Sequence, residues 1–224
     1  MNPSVVLPPG VVNRIAEKTI ELNFPKQVGE RIPTGFWFGL TQLQEAQNGY
    51  DAAVTIGGTL YLFQYKVSTV CLRNGCRQFQ VPHAQMEILK GQVKLPRKVF
   101  YVLPDVGLVN ELAAYDWDLL RCTWLVDVND LPDPVPTPTR RDGLPRLSGL
   151  HYMDLDAKNA PPHVVLHSDP VAVPALTTGR VFGEDIPIAA RVAGNRPGVR
   201  DPLLDHFWAI REAIRFRGFG LVIP

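Results

Sequence analysis

Apolar and polar positions alternate most cleanly between residues 49 and 67, where GYDAAVTIGGTLYLFQYKV reads as two short strands closed by Gly57-Gly58. Both glycines tolerate the positive φ of a type I′ turn, so a two-residue loop is expected, with Ile56 facing Thr59. In that register Asp51 lies opposite Gln64. Lys66 then sits a diagonal step away on the same face, about 7–8 Å off. Ala52, Val54, Ile56, Tyr61, Phe63, Tyr65 and Val67 form the other side, which is a core face. An odd-length loop would slip the pairing by one residue and part Asp51 from Gln64 and Lys66.

The same patterning places other elements around this hairpin. Residues 11–22 carry Val12, Ile15, Ala16, Thr19 and Ile20 at helical spacing, with Pro25 just beyond. GFWFGLT, 35–41, reads as an aromatic-rich strand. Residues 82–91 read as a helix with Pro82 near its first turn and Gly91 at its end. KVFYVLP, 98–104, is a continuous apolar run of the kind buried strands show. A helix over 106–119 and a strand over 122–128 complete a regular region. From Leu131 the chain changes, and LPDPVPTPTRRDGLPR reads as an extended surface loop. Short strands are expected at 151–155 and 163–167. A closing helix is expected at 201–216, with Asp201 as N-cap, Pro202 at its first position and Gly218 after its end. The division is therefore a regular domain over 1–130 and a Pro-rich irregular appendage over 131–224, packed on it.

Composition narrows the partners. The 224 residues carry a formal charge of +1, so no overall field draws the chain to nucleic acid, and any such site must be a local patch. Three cysteines form no secreted disulfide framework. No apolar run approaches the roughly 20 residues of a membrane span, and the N-terminus lacks the pattern of a signal peptide. A cytoplasmic protein with no membrane partner is the expectation.

The order helix, strand, strand, strand, helix, strand, with Asp51 opening the second strand and Gln64-Tyr65-Lys66 closing the third, resembles the PD-(D/E)XK nuclease superfamily. The D…QxK variant is that of Mrr-like restriction endonucleases, and the resemblance covers roughly residues 10–104. It implies an α/β fold of restriction-endonuclease-like type, a mixed β-sheet flanked by helices in an αβββαβ core. It also implies Mg²⁺ or Mn²⁺, because hydrolysis of a phosphodiester is helped by a hard cation that polarises the phosphoryl oxygen and acidifies water. By resemblance Asp51 is the main metal ligand, the Gln64 side-chain oxygen a weaker one, and the Tyr65 carbonyl a third. Lys66 would steady charge developing on the phosphate. A first-helix glutamate completes such sites; Glu17 and Glu21 both qualify, and Glu17 is preferred because Glu21 falls at the expected fraying end. Tyr50 stands where the family pattern has proline. Gln64 in place of an acid removes one negative charge, which Glu17, Glu21 or Glu45 would have to restore.

The implied function is a metal-dependent nuclease acting on DNA, in a restriction or phage-defence setting. The alternative is an inactive relative that binds nucleic acid or scaffolds a larger complex. Arg73, Arg77, Lys90 and Lys94, with Arg97 and Lys98, form the one marked charge asymmetry of the regular half and are candidate phosphate contacts. Arg140, Arg141 and Arg146 are weaker candidates. A homodimer or a partner subunit would enlarge so modest a basic surface. Cys71, Cys76 and His83 are loosely spaced for structural zinc, with His151, His163 or His167 as a fourth ligand only if the chain folds back. Phe36, Trp37, Phe38 and Trp208 are expected in the core.

Overall fold

The computed structural model describes residues 14–182 apart from 33–34, 69, 95–96, 136–137, 142–143 and 148. The helix expected at 201–216, with Trp208, lies outside the described residues. The chain runs α1 (Glu17–Arg31), β1 (Phe36–Gly39), α2 (Gln42–Asn48), β2 (Ala52–Ile56), β3 (Thr59–Tyr65), β4 (Val70–Cys71), β5 (Arg77–Pro82), α3 (His83–Gln92) and β6 (Arg97–Pro104). It continues with α4 (Val109–Ala113), a 3-10 turn (Leu119–Arg121), β7 (Thr123–Asp127), β8 (Pro138–Arg141), β9 (Leu144–Leu147), β10 (Leu150–Asp156), β11 (His163–Leu166), β12 (Asp169–Pro174) and α5 (Thr178–Phe182).

Two five-stranded sheets result, in the orders β1-β2-β3-β6-β7 and β12-β11-β10-β5-β4. The first is mixed: β3 and β6 run parallel, and every other pair in it is antiparallel. The second is antiparallel throughout, and its β5–β10 pairing joins residues on both sides of position 130. The protein is a mixed α/β fold. No helix among the described residues is long and apolar enough to cross a membrane.

The first sheet is covered on both faces. One face carries Val54, Phe63, Tyr65, Phe100 and Val102, packed against Ile20, Phe24 and Val28 of α1. The other carries Ala53, Leu60, Leu62, Val99 and Tyr101, packed with Met86 and Leu89 of α3 and with Phe79, Met153 and Leu155 of the second sheet. Leu60 to Phe63 is thus apolar at every position because both sides of β3 are buried.

Several expectations need correction. The first helix begins at Glu17, not residue 11, and continues through Pro25 to Arg31. Pro25 deprives the helix of one backbone bond, but Ile20, Phe24 and Val28 repeat at helical spacing and hold the segment on the sheet. Helix α2 was not anticipated, although Thr41 and Gln44 form a capping box and Gly49 ends it at φ 77°. The helix expected over 106–119 is only the short α4 plus the 3-10 turn. The Pro-rich stretch read as a loop carries the β8–β9 hairpin, where Arg140, Arg141 and Arg146 fall. Phe36 is exposed rather than in the core, while Trp37 and Phe38 are partly buried.

Candidate functional site

The hairpin adopts the expected register. Ile56 pairs with Thr59 and Ala52 with Phe63, and Gly57 and Gly58 have φ of 57° and 80°, which fits the type I′ geometry. Asp51 lies one residue beyond the last pair, its N–H bonded to the Phe63 carbonyl at 2.8 Å. Its carboxylate takes the place of the next backbone acceptor: Oδ2 accepts the Tyr65 N–H at 2.7 Å and the Gln64 amide at 2.7 Å.

Gln64 is 1% exposed. Its Nε2 donates to Asp51 Oδ2 at 2.7 Å and to the Tyr65 carbonyl at 3.1 Å, so two oxygens converge on one point. Its Oε1 is buried without a hydrogen-bond partner. Such an orphan acceptor forfeits the hydration it had in the unfolded chain, roughly 1–3 kcal/mol. A half-turn of the amide would bring Oε1 toward Asp51, which is unfavourable unless positive charge separates the two oxygens.

Burial pushes the Asp51 carboxyl up to about 7. The Tyr65 N–H opposes that rise, Glu17 adds to it, Lys66 opposes it and Glu45 adds a little. Desolvation dominates because Asp51 is only 8% exposed and has no cation against it. Lys66 is anchored by its N–H to the Val102 carbonyl at 3.1 Å, and its ammonium lies 3.7 Å from Glu17 Oε1. Burial raises the Glu17 carboxyl too, with Lys66 pulling it down.

Asp51, Gln64, Tyr65, Lys66 and Glu17 therefore share one end of the sheet. The reason for preferring Glu17 was wrong in detail: Glu21 is inside the helix and ion-paired to Lys18, whereas Glu17 is the first helical residue and reaches Lys66. Glu45 lies on α2 and is near enough that Glu21 raises its carboxyl, after burial. Among the described residues no group of three or more His, Cys, Asp and Glu side chains is arranged to hold a metal ion. Any cation here would rest on one carboxylate and two neutral oxygens, those of Gln64 and of the Tyr65 carbonyl. That donor set is hard and oxygen-only, and it fits Mg²⁺ or Mn²⁺ with waters completing the shell.

The four nominated phosphate contacts divide. Arg77 is committed to Glu111 at 2.7 Å and Asp105 at 3.6 Å, and Lys90 to the Leu131 carbonyl and Asp133. Arg73 and Lys94 are exposed. Cys71 is exposed and Cys76 buried, both as free thiols. The fold-back does occur, because β10 pairs with β5, but it delivers His151 to His83 rather than to a cysteine.

Comparison of the chain with protein families, with curated proteins and with solved structures finds no match.

Proposed function

We propose that this chain is a metal-dependent nuclease of the restriction-endonuclease-like type that hydrolyses phosphodiester bonds of DNA. The observation that supports it most is the convergence of Asp51 Oδ2 and the Tyr65 carbonyl on one buried point, with an unpartnered Gln64 oxygen and the Lys66–Glu17 pair beside it. Helix α1, strands β1, β2 and β3, helix α3 and strand β6 follow one another in the expected sequence, with α2 and the β4–β5 pair added between them, and this order together with the parallel β3–β6 pair supports that reading. Asp51, the Tyr65 carbonyl and Gln64 Oε1 would hold Mg²⁺ or Mn²⁺, with Glu17 reaching it through water. The bound cation would polarise the phosphate and lower the pKa of a water. Lys66 holds positive charge at the same end of β3, where it can stabilise the phosphate as negative charge grows on it. Glu17 keeps the ammonium oriented through its ion pair. A cytoplasmic setting in restriction or phage defence, and a homodimer or partner subunit, belong to this reading.

The test is cleavage of plasmid and linear DNA with Mg²⁺, with Mn²⁺ and with chelator, beside Asp51→Ala and Lys66→Ala. Metal-dependent cutting lost in both variants supports the enzyme.

One observation favours a second reading, an inactive nucleic-acid-binding or scaffolding relative. The Gln64 amide already neutralises the point where a cation would sit, and no third carboxylate joins Asp51 among the described residues. DNA retention without cutting, unchanged in Asp51→Ala, would establish that reading.

A further inference from the structure

A second polar chain, sharing no hydrogen bond with the Asp51 cluster among the described residues, lies between α3 and the second sheet. His83 is the first residue of α3, His151 the second of β10, and Ser168 sits in the turn between β11 and β12. His151 is 1% exposed, and both of its ring nitrogens have partners. Nε2 lies 2.8 Å from His83 Nδ1, and Nδ1 lies 3.2 Å from Ser168 Oγ. The remaining His83 nitrogen, Nε2, is 3.3 Å from Glu87 Oε1, one helical turn along α3.

The direction of the chain follows from what each group can do. An ionised carboxylate only accepts, so His83 Nε2 carries the proton that faces Glu87. His83 Nδ1 is then an acceptor, and His151 Nε2 must carry the proton between the rings. His151 Nδ1 is left as the acceptor, and Ser168 donates its hydroxyl to it. The opposite polarity would set a bare His83 nitrogen against the carboxylate. Burial, then the neighbouring His83, lower the His151 pKa, which keeps the ring neutral and able to take a proton.

We propose that Ser168 is an activated nucleophile, a reactive site separate from Asp51, that takes acyl groups from small activated esters. Ser168 Oγ bonds to the acyl carbon while its proton moves to His151 Nδ1. The His151 Nε2 proton can pass to His83 Nδ1, leaving an imidazolium ion-paired with Glu87. When the ester C–O bond breaks, His151 Nδ1 gives its proton to the departing alkoxide while the His83 Nδ1 proton passes back to His151 Nε2, so both rings return to their starting state. Ester and serine thereby become acyl-serine and alcohol, and water attacking by the same route restores Ser168 and releases the acid. The carboxylate, imidazole and hydroxyl roles are those that general-base activation of a serine requires.

Incubating the full chain with p-nitrophenyl acetate, followed by peptide mass mapping, tests this. Acetylation of Ser168 should outrun that of other serines by about 100-fold, the scale of positioned general-base catalysis. The preference should vanish in His151→Gln and fall in Glu87→Gln, whose substitution lies at the exposed end of the chain and leaves the core intact. The wild-type rate should rise with pH as an imidazole deprotonates. Acetyl groups spread over serines by exposure alone would overturn the proposal. So would Ser168 labelling that is as fast in Glu87→Gln as in wild type, a comparison that decides the matter even if His151→Gln fails to fold.

Discussion

Two buried polar clusters in this chain answer desolvation in opposite ways. In the His83–His151–Ser168 cluster every ring nitrogen has a partner, and the burial of His151 is met by bonds on both sides. In the Asp51–Gln64 cluster the acceptors outnumber the donors: Gln64 Oε1 has no partner and the Asp51 carboxyl is pushed up to about 7. The first is closed on itself except at the Ser168 hydroxyl. The second is short of positive charge. Burial alone therefore does not tell the two clusters apart; the partners that each has or lacks do, and the cation of the proposed function is the partner that the second would take up.

The largest expected effect comes from removing the carboxylate. Asp51→Ala should lower metal-dependent DNA cleavage on the order of 10³-fold, the scale of losing a main electrostatic element of a site. It also strands the Tyr65 N–H and one of the two Gln64 amide hydrogens, the other keeping the Tyr65 carbonyl, so the unfolding free energy should drop by about 1–3 kcal/mol. Cleavage at the wild-type rate in Asp51→Ala would dissolve the contrast between the clusters.

Gln64→Glu sharpens it. A second carboxylate beside Asp51 should lower the melting temperature in chelator through like-charge repulsion. Added Mg²⁺ should then raise it by more than in wild type, with affinity about tenfold tighter from the extra ligand charge. A Mg²⁺-dependent shift no larger than that of wild type would mean that the missing charge is not a metal's.

Smaller, and opposite in sign, are the pH effects. In chelator the folded chain holds a proton on Asp51 up to about pH 7, while an unfolded aspartate releases it near 3.8. That contribution to stability is complete below about 3.8 and is lost as pH rises through about 7. His151 has its pKa lowered from 6.5, so its contribution is complete above 6.5 and is lost as pH falls. Melting curves over this range should lose the alkaline decline in Asp51→Asn and the acid decline in His151→Gln. Identical pH profiles in the two variants would show that the clusters do not differ in the way their geometry implies.

What could be read from residues alone follows the range of the interactions. The hairpin was legible because Gly57-Gly58 sets its register locally, and Asp51 was carried to Gln64 with it. The second sheet was not, because β5 meets β10 across a long stretch of chain and no local pattern announces the pairing. The unbroken apolar run Leu60–Phe63 was the one local sign that both faces of that strand are covered, but it does not say by what. Pro25 misled because its cost is local and the burial of Phe24 and Val28 is tertiary. The His83–His151 contact needed both the helix start and the β10 register, so the residues alone offered the two histidines only as zinc ligands and not as partners of each other.

The smallest expected effect applies the same contrast to the basic residues. Arg73 and Lys94 are exposed, whereas Arg77 and Lys90 are already engaged by Glu111, Asp105 and Asp133. A cation that neutralises a phosphate releases a counterion, so each true contact adds about one unit to the slope of log affinity against log salt. Arg73→Ala and Lys94→Ala should each reduce the DNA-binding slope by about one unit and leave the unfolding transition in place. Arg77→Ala should do the reverse, leaving the slope nearly unchanged while lowering stability, because it abandons two carboxylates that sit partly buried around it. Salt titrations of DNA binding beside thermal melts separate these outcomes. A slope lost in Arg77→Ala but kept in Arg73→Ala would mean that the ion pairs open on binding and that the exposed cations are bystanders.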